Sequence, residues 1–167
     1  MRIVIDGYNL IRRIPELTAL DRESLEAGRN GLVLELSSYR AGKGHRITVV
    51  FDGVDSVHLG GSSDKTGGIS VRYSPRGRSA DSVIIQMCRE GQADVVVTGD
   101  REIIYAAKRT GVTPVSPDLF WDKVQKEFYR RFKGEEEEEH TGRSTQHAGG
   151  RKLSKEQRRD RGRIEKL

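Results

Sequence analysis

Three short β-branched runs limit what this chain can fold into, because each one meets an aspartate at its end. Ile3-Val4-Ile5 stops at Asp6, and Gly7-Tyr8-Asn9 follows. Ile47-Thr48-Val49-Val50-Phe51 stops at Asp52-Gly53, and Asp94 opens Val95-Val96-Val97-Thr98, which runs into Gly99-Asp100. Runs of this length and composition read as parallel strands buried on both faces. In an open α/β sheet, ligands gather outside the carboxyl ends of the strands. A fourth aspartate, Asp81, opens a helix-like segment whose N-terminus belongs at that same edge. Four carboxylates collected there repel one another unless a cation neutralises them, so the pattern predicts a divalent-metal site.

The remaining periodicity fills in the sandwich. Asp21 is placed to cap a helix from about Arg22 to Ala41, with Leu25, Leu32, Leu36 and Tyr39 on one face. Residues 53–68 hold five glycines and three serines and read as a mobile loop. Ile69–Tyr73 alternates as a short edge strand. Ser79 is set to cap a helix to about Glu90, and a helix over Arg101–Arg109 closes at Gly111. Val112–Val115 is a last strand, and Ser116-Pro117-Asp118 starts a final helix. The order predicts an α/β fold, a three-layer α/β/α sandwich on a mostly parallel sheet.

Composition divides the chain. After Lys133 the apolar residues are Ala148, Leu153, Ile164 and Leu167. The folded domain is therefore expected within residues 1–133, with 134–167 a charged flexible tail. That tail runs from the acidic Glu135–Glu139 to a basic, helix-compatible arm over Arg151–Lys166. The arm either adds non-specific affinity for a polyanionic partner, with the acidic run covering basic surface in its absence, or merely solubilises the chain. Cys88, the one cysteine, excludes an intramolecular disulfide and reads as a buried small hydrophobe in a reducing compartment. No apolar run reaches membrane-spanning length and no signal-peptide pattern precedes the first strand, so no membrane partner and a cytoplasmic location are expected.

The carboxylates specify the chemistry. Mg²⁺ and Mn²⁺ prefer oxygen ligands, whereas His45, His58, His140 and His147 show no ligand spacing and argue against zinc. Such ions turn water into a nucleophile and neutralise a phosphodiester. Arg12, Arg13, Arg76, Arg78 and Arg101 offer phosphate contacts, and Tyr8 either stacks on a base or packs internally. Structural alternatives stand beside each acid: Asp6 to Asn9 as a turn, Asp52 as Asp-Gly turn chemistry, Asp81 and Asp100 as helix-start residues. A phosphate-cradling G-x-x-x-x-G-K-[ST] loop is absent from the sequence, and an aspartyl-phosphatase would want an acid where Tyr8 stands.

Val4-Ile5-Asp6-Gly7-Tyr8-Asn9-Leu10-Ile11 resembles the opening of NYN domains, relatives of PIN-domain nucleases. Val50-Phe51-Asp52, Ser79-Ala80-Asp81 and Val97-Thr98-Gly99-Asp100 follow in the matching order, and the bacterial YacP-like branch is the most similar. The likeness covers about residues 1–130. It implies a PIN-like fold and a metal-dependent endoribonuclease acting on single-stranded RNA, in a branch associated with ribosomes and hence with messenger RNA. Carried over by motif, Asp6, Asp81 and Asp100 would be Mg²⁺ or Mn²⁺ ligands. Asn9 would position substrate or a water, Thr98 would orient Asp100, and Asp52 is the weakest member. The Asp81 helix opens with a single acid where many relatives have a pair, which implies weaker metal binding. A non-catalytic RNA- or ribosome-binding module and a small-molecule phosphohydrolase are the rival functions.

Overall fold

The computed structural model describes residues 1–53, 63–133 and 154–167. Its sheet has six strands: β1 (Arg2–Asp6), β2 (Arg46–Phe51), β3 (Ser63–Thr66), β4 (Ile69–Tyr73), β5 (Val95–Val97) and β6 (Thr113–Val115). Their spatial order is β3-β4-β2-β1-β5-β6, with every neighbouring pair parallel except β3 with β4. Side chains of the central strands alternate between two cores, as pleating requires. Ile3, Ile5, Val49, Phe51, Val95 and Val97 face one core, while Val4, Val50 and Val96 face the other.

Helices cover both faces. The first core is closed by α1 (Gly7–Ile11), α2 (Pro15–Glu23), α3 (Leu25–Lys43) and α6 (Pro117–Lys133), through Leu10, Leu17, Leu36, Tyr39, Phe120 and Val124. The second is closed by α4 (Ala80–Arg89) and α5 (Arg101–Thr110), through Ile84, Met87, Cys88, Ile103 and Ala107. The expected three-layer α/β architecture is the one observed, and Cys88 is buried as a small hydrophobe.

Four local expectations are corrected. The long helix begins at Leu25, capped by Ser24, not Asp21. Asp21 lies inside α2, which Pro15 opens at its first turn. A short helix, α1, follows directly on β1, because the Asp6 side chain caps it by accepting the Asn9 amide at 3.2 Å. Part of the expected glycine loop is strand: β3 pairs with β4 through Gly67 and Gly68, both at positive φ, so β4 is not an edge strand. Residues 54–62 of that loop lie outside the described residues.

The fourth correction concerns the basic arm. Lys155–Glu165 forms α7, started by a Ser154–Gln157 capping box, and it docks on the domain. Leu167 is only 1% exposed and joins the first core with Ile164. The Thr113 hydroxyl donates to Asp160 Oδ1 at 2.7 Å, Arg163 donates to the Gly111 carbonyl at 2.8 Å, and the Tyr39 hydroxyl donates to Leu167 O at 2.6 Å. Polar anchors thus supply what the sparse apolar residues do not. The docking position is the amino end of the sheet, where β2 and β6 begin. Glu135–Glu139 lie outside the described residues.

Candidate active site

Strand register places the acids. Asp6 pairs with Val50 and Ile5 with Val97, so Asp6 stands level with Thr98 and one pleat short of Asp52. Gly7 permits the turn that follows: an added Cβ would lie 2.2 Å from Phe51 Cε1, so only glycine lets α1 close on β2. Asp52 Oδ1 accepts the Ala80 amide at 2.7 Å, which ties the start of α4, and with it Asp81, to the same edge. Asp100 caps α5, accepting the Glu102 and Ile103 amides at 2.7 and 3.2 Å. The result is one open cleft of about 490 Å³ lined by Asp6, Tyr8, Asn9, Arg12, Arg13, Asp52, Asp81 and Asp100.

Hydrogen bonds hold this edge. The buried Thr98 hydroxyl donates to Asp6 Oδ2 at 3.0 Å and accepts the Asp100 amide at 3.0 Å, so it orients both acids. Asn9 Oδ1 accepts the Gly99 amide at 2.8 Å and fixes the β5 exit against α1. The Asn9 side-chain amide has no partner among the described residues. Neither does the Asp81 carboxylate, nor Oδ2 of Asp52 and of Asp100.

Electrostatics reflect the crowding. Burial pushes the Asp6 carboxyl up to about 6, against the lowering effect of the Asn9 amide and the Thr98 hydroxyl; Asp81 and Asp100 add to the rise. Asp81 is raised as well, by burial first and then by Asp100, Asp52 and Glu102. Among the described residues no three His, Cys, Asp or Glu side chains stand close enough to chelate one ion directly. The donor set is nonetheless all oxygen, with the Asp81 carboxylate unpartnered among those residues. That fits a hydrated Mg²⁺ or Mn²⁺ ion, which binds through one or two carboxylates and keeps several waters.

The arginines divide. Arg12 and Arg13 line the cleft; Arg76, Arg78 and Arg101 do not. Arg78 bonds along α4 to Gln86 at 2.7 Å, and Arg76 and Arg101 are exposed at helix-start turns. The phosphate role expected for those three has no support at this cleft. Behind the cleft, against Tyr8, stands a residue that the sequence pattern did not single out. Arg29, on α3, donates from Nε to the Tyr8 hydroxyl at 2.8 Å and lies over the rings of Tyr8, Phe51 and Tyr73. Tyr8 is therefore packed edge-on to Phe51 at 5.1 Å and clamped by cations while it lines the cleft.

The mostly parallel α/β sheet with its acids gathered at the carboxyl edge is consistent with a nuclease-type domain, and the family match supports that class. The chain belongs to the YacP-like NYN domain family, a branch of the PIN-like nuclease superfamily, whose model matches residues 3–166 and so takes in α7. Crystal structures of Rae1 (YacP) from Bacillus subtilis share the fold. One has a TM-score of 0.68 and 23% identity, covering 80% of this chain and 79% of that one. A point mutant of the same protein gives a TM-score of 0.66 at the same identity. A curated relative, the uncharacterised protein YacP of Bacillus subtilis (strain 168), is 38% identical over 50 residues. That match spans 30% of this chain and 29% of the relative's length.

Proposed function

We propose that this domain is a metal-dependent endoribonuclease that hydrolyses phosphodiester bonds of single-stranded RNA, with messenger RNA on the ribosome as its setting. One observation carries the reading: four aspartates from separate elements line a single cleft together with Arg12 and Arg13. Asp81 and Asp100, with Asp6 behind them, would hold Mg²⁺ or Mn²⁺, which when bound neutralises phosphate charge and makes water a stronger nucleophile. Arg12 and Arg13 bind the flanking phosphates. The Asn9 side-chain amide donates to the substrate, and Thr98 keeps Asp6 and Asp100 in place. Attack of water leaves a 5′-phosphate on one product and a 3′-hydroxyl on the other.

The test is cleavage of end-labelled single-stranded RNA with Mn²⁺ or Mg²⁺, comparing the unaltered chain, Asp81→Asn and an EDTA control. Cutting that needs both the ion and Asp81 is the expected result; cutting that survives Asp81→Asn refutes the site. A second reading, an RNA- or ribosome-binding module without turnover, is favoured by the lack of a close three-acid cluster among the described residues. Tight, salt-sensitive RNA binding with no cutting by the folded protein would select it.

A further inference from the structure

At the other end of the same sheet lies a basic pocket that the acidic cleft does not use. It has a volume of about 410 Å³ and is lined by cations from five elements, Arg2, Arg40, Arg46, Lys65 and Arg72, with no acidic side chain among the described residues of its wall. The sheet topology makes it open. On the face that carries α4 and α5, buried packing involves β1, β2 and β5, and no residue of β3 or β4 joins that core. Register then sets Thr48, Ser70 and Lys65 in one row across β2, β4 and β3. Arg46, two residues before Thr48, and Arg72, two residues after Ser70, share that face on either side of the row and are exposed.

Two details distinguish this pocket from an ordinary solvated surface. Arg2 has its own counter-ion, Asp94 at 2.7 Å, but Arg40, Arg46 and Arg72 have no carboxylate partner among the described residues. Arg40 reaches the pocket from α3 past Gly68, where an added Cβ would stand 2.5 Å from its Nη1. Its Nε is buried there without a hydrogen-bond partner among the described residues. A buried guanidinium nitrogen with nothing to donate to, beside two further arginines without a counter-ion and the hydroxyls of Thr48 and Ser70, calls for an oxyanion.

We propose that this pocket is a second phosphate-binding site that holds the backbone of the RNA strand whose scissile bond lies in the acidic cleft; the proposal rests on the RNA reading above. The path is short. α4 starts at the cleft with Asp81, and Met87 near its other end lines the pocket, so the two sites lie roughly 9 Å apart along the helix. Beside α4 runs β4, which contributes no residue to the core on that face. The pocket reads charge rather than base identity, because its described lining offers guanidinium, ammonium and hydroxyl donors and no aromatic ring. It would anchor the strand and set its direction through the cleft.

The experiment uses the full chain in EDTA, so that binding is read without cleavage. Fluorescence anisotropy of a short labelled single-stranded RNA is followed against salt for the unaltered chain and for Arg46→Ala/Arg72→Ala, whose two positions are exposed. Loss of two phosphate contacts should weaken binding roughly tenfold at about 0.1 M salt and lower the log–log salt slope by about 1.4. Unchanged affinity and slope in a variant with an unchanged melting temperature overturn the pocket and leave the cleavage reading intact. Loss of binding in the variant alongside no cutting by the unaltered chain supports the pocket and removes the nuclease reading. Inorganic tripolyphosphate forms the second arm, followed by thermal shift. If it stabilises the unaltered chain, not the variant, and RNA fails to bind, the site takes a free polyphosphate and the RNA assignment is overturned.

Discussion

Asp6→Asn should make the metal-free protein more stable at neutral pH while removing cleavage. In the folded chain the Asp6 carboxyl titrates at about 6 in place of its ordinary 3.8, mainly because it is buried. The folded state therefore holds its proton where the unfolded state has lost it. The contribution to stability is fully present below pH 3.8, is lost as pH rises through 6, and is flat above. The shift corresponds to about 3 kcal/mol at neutral pH. Asparagine carries no charge and escapes that loss, but it cannot accept the Thr98 hydroxyl proton as the carboxylate does at Oδ2. Weakening that hydrogen bond costs about 1 kcal/mol, so the net gain is about 2 kcal/mol. For a chain of this length that is a rise of roughly 4–8 °C in melting temperature.

Calorimetry in EDTA from about pH 4 to 8, the range that brackets the shifted titration, reads it out. The two proteins should converge at low pH and separate as pH rises. Saturating Mn²⁺ should then close the gap, since an ion at about 100 times its Kd adds roughly 2.7 kcal/mol to the unaltered chain alone. A constant offset across the pH range, or an Asp6→Asn variant that is the less stable of the two at the alkaline end, refutes the assignment of Asp6 as a buried, repelled carboxylate.

Three further outcomes follow from named contacts. Thr98→Val removes a donor to Asp6 and the acceptor of the Asp100 amide, so urea denaturation should show a loss of about 2 kcal/mol. Because that hydroxyl favours the ionised Asp6, its loss should also move the acid limb of the cleavage profile to higher pH; an unmoved limb contradicts the link. Leu167→Ala should cost about 2–4 kcal/mol in the same assay, and an unchanged midpoint would mean that α7 does not dock. Gly7→Ala must displace the Phe51 ring and should lower stability by about 1–3 kcal/mol by thermal melting, with cleavage falling alongside it as α1 shifts.

The sheet and its acidic edge were legible because they rest on patterns with strict geometry. A β-branched run that ends in an acid fixes both a strand and the end of the sheet where the acid lies, and the helix that Ser79 starts must return to that end. Asp6, Asp52, Asp81 and Asp100 could therefore be placed together from sequence alone. Elements held by long-range polar contacts were less readable. α1 looked like a turn because Asp6 serves both the strand end and the helix cap. α2 announced itself only through Pro15. β3, Ser63-Asp64-Lys65-Thr66, has no strand composition; it exists because Gly67-Gly68 folds it back on β4. The basic arm looked too polar to pack, yet its capping box was in the sequence, and two apolar residues with three polar anchors suffice. Arg29 left no local signal, since its partner Tyr8 is 21 residues away and meets it only in three dimensions.

Binding of Mn²⁺ to the folded, RNA-free protein tests most directly whether the acidic edge is a metal site. The measurement is electron paramagnetic resonance of free Mn²⁺ during titration, with the unaltered chain set against Asp81→Asn/Asp100→Asn. Saturable binding by the unaltered chain that the double variant loses is the predicted result. Equal binding by both, or none by either while both remain folded, would contradict it.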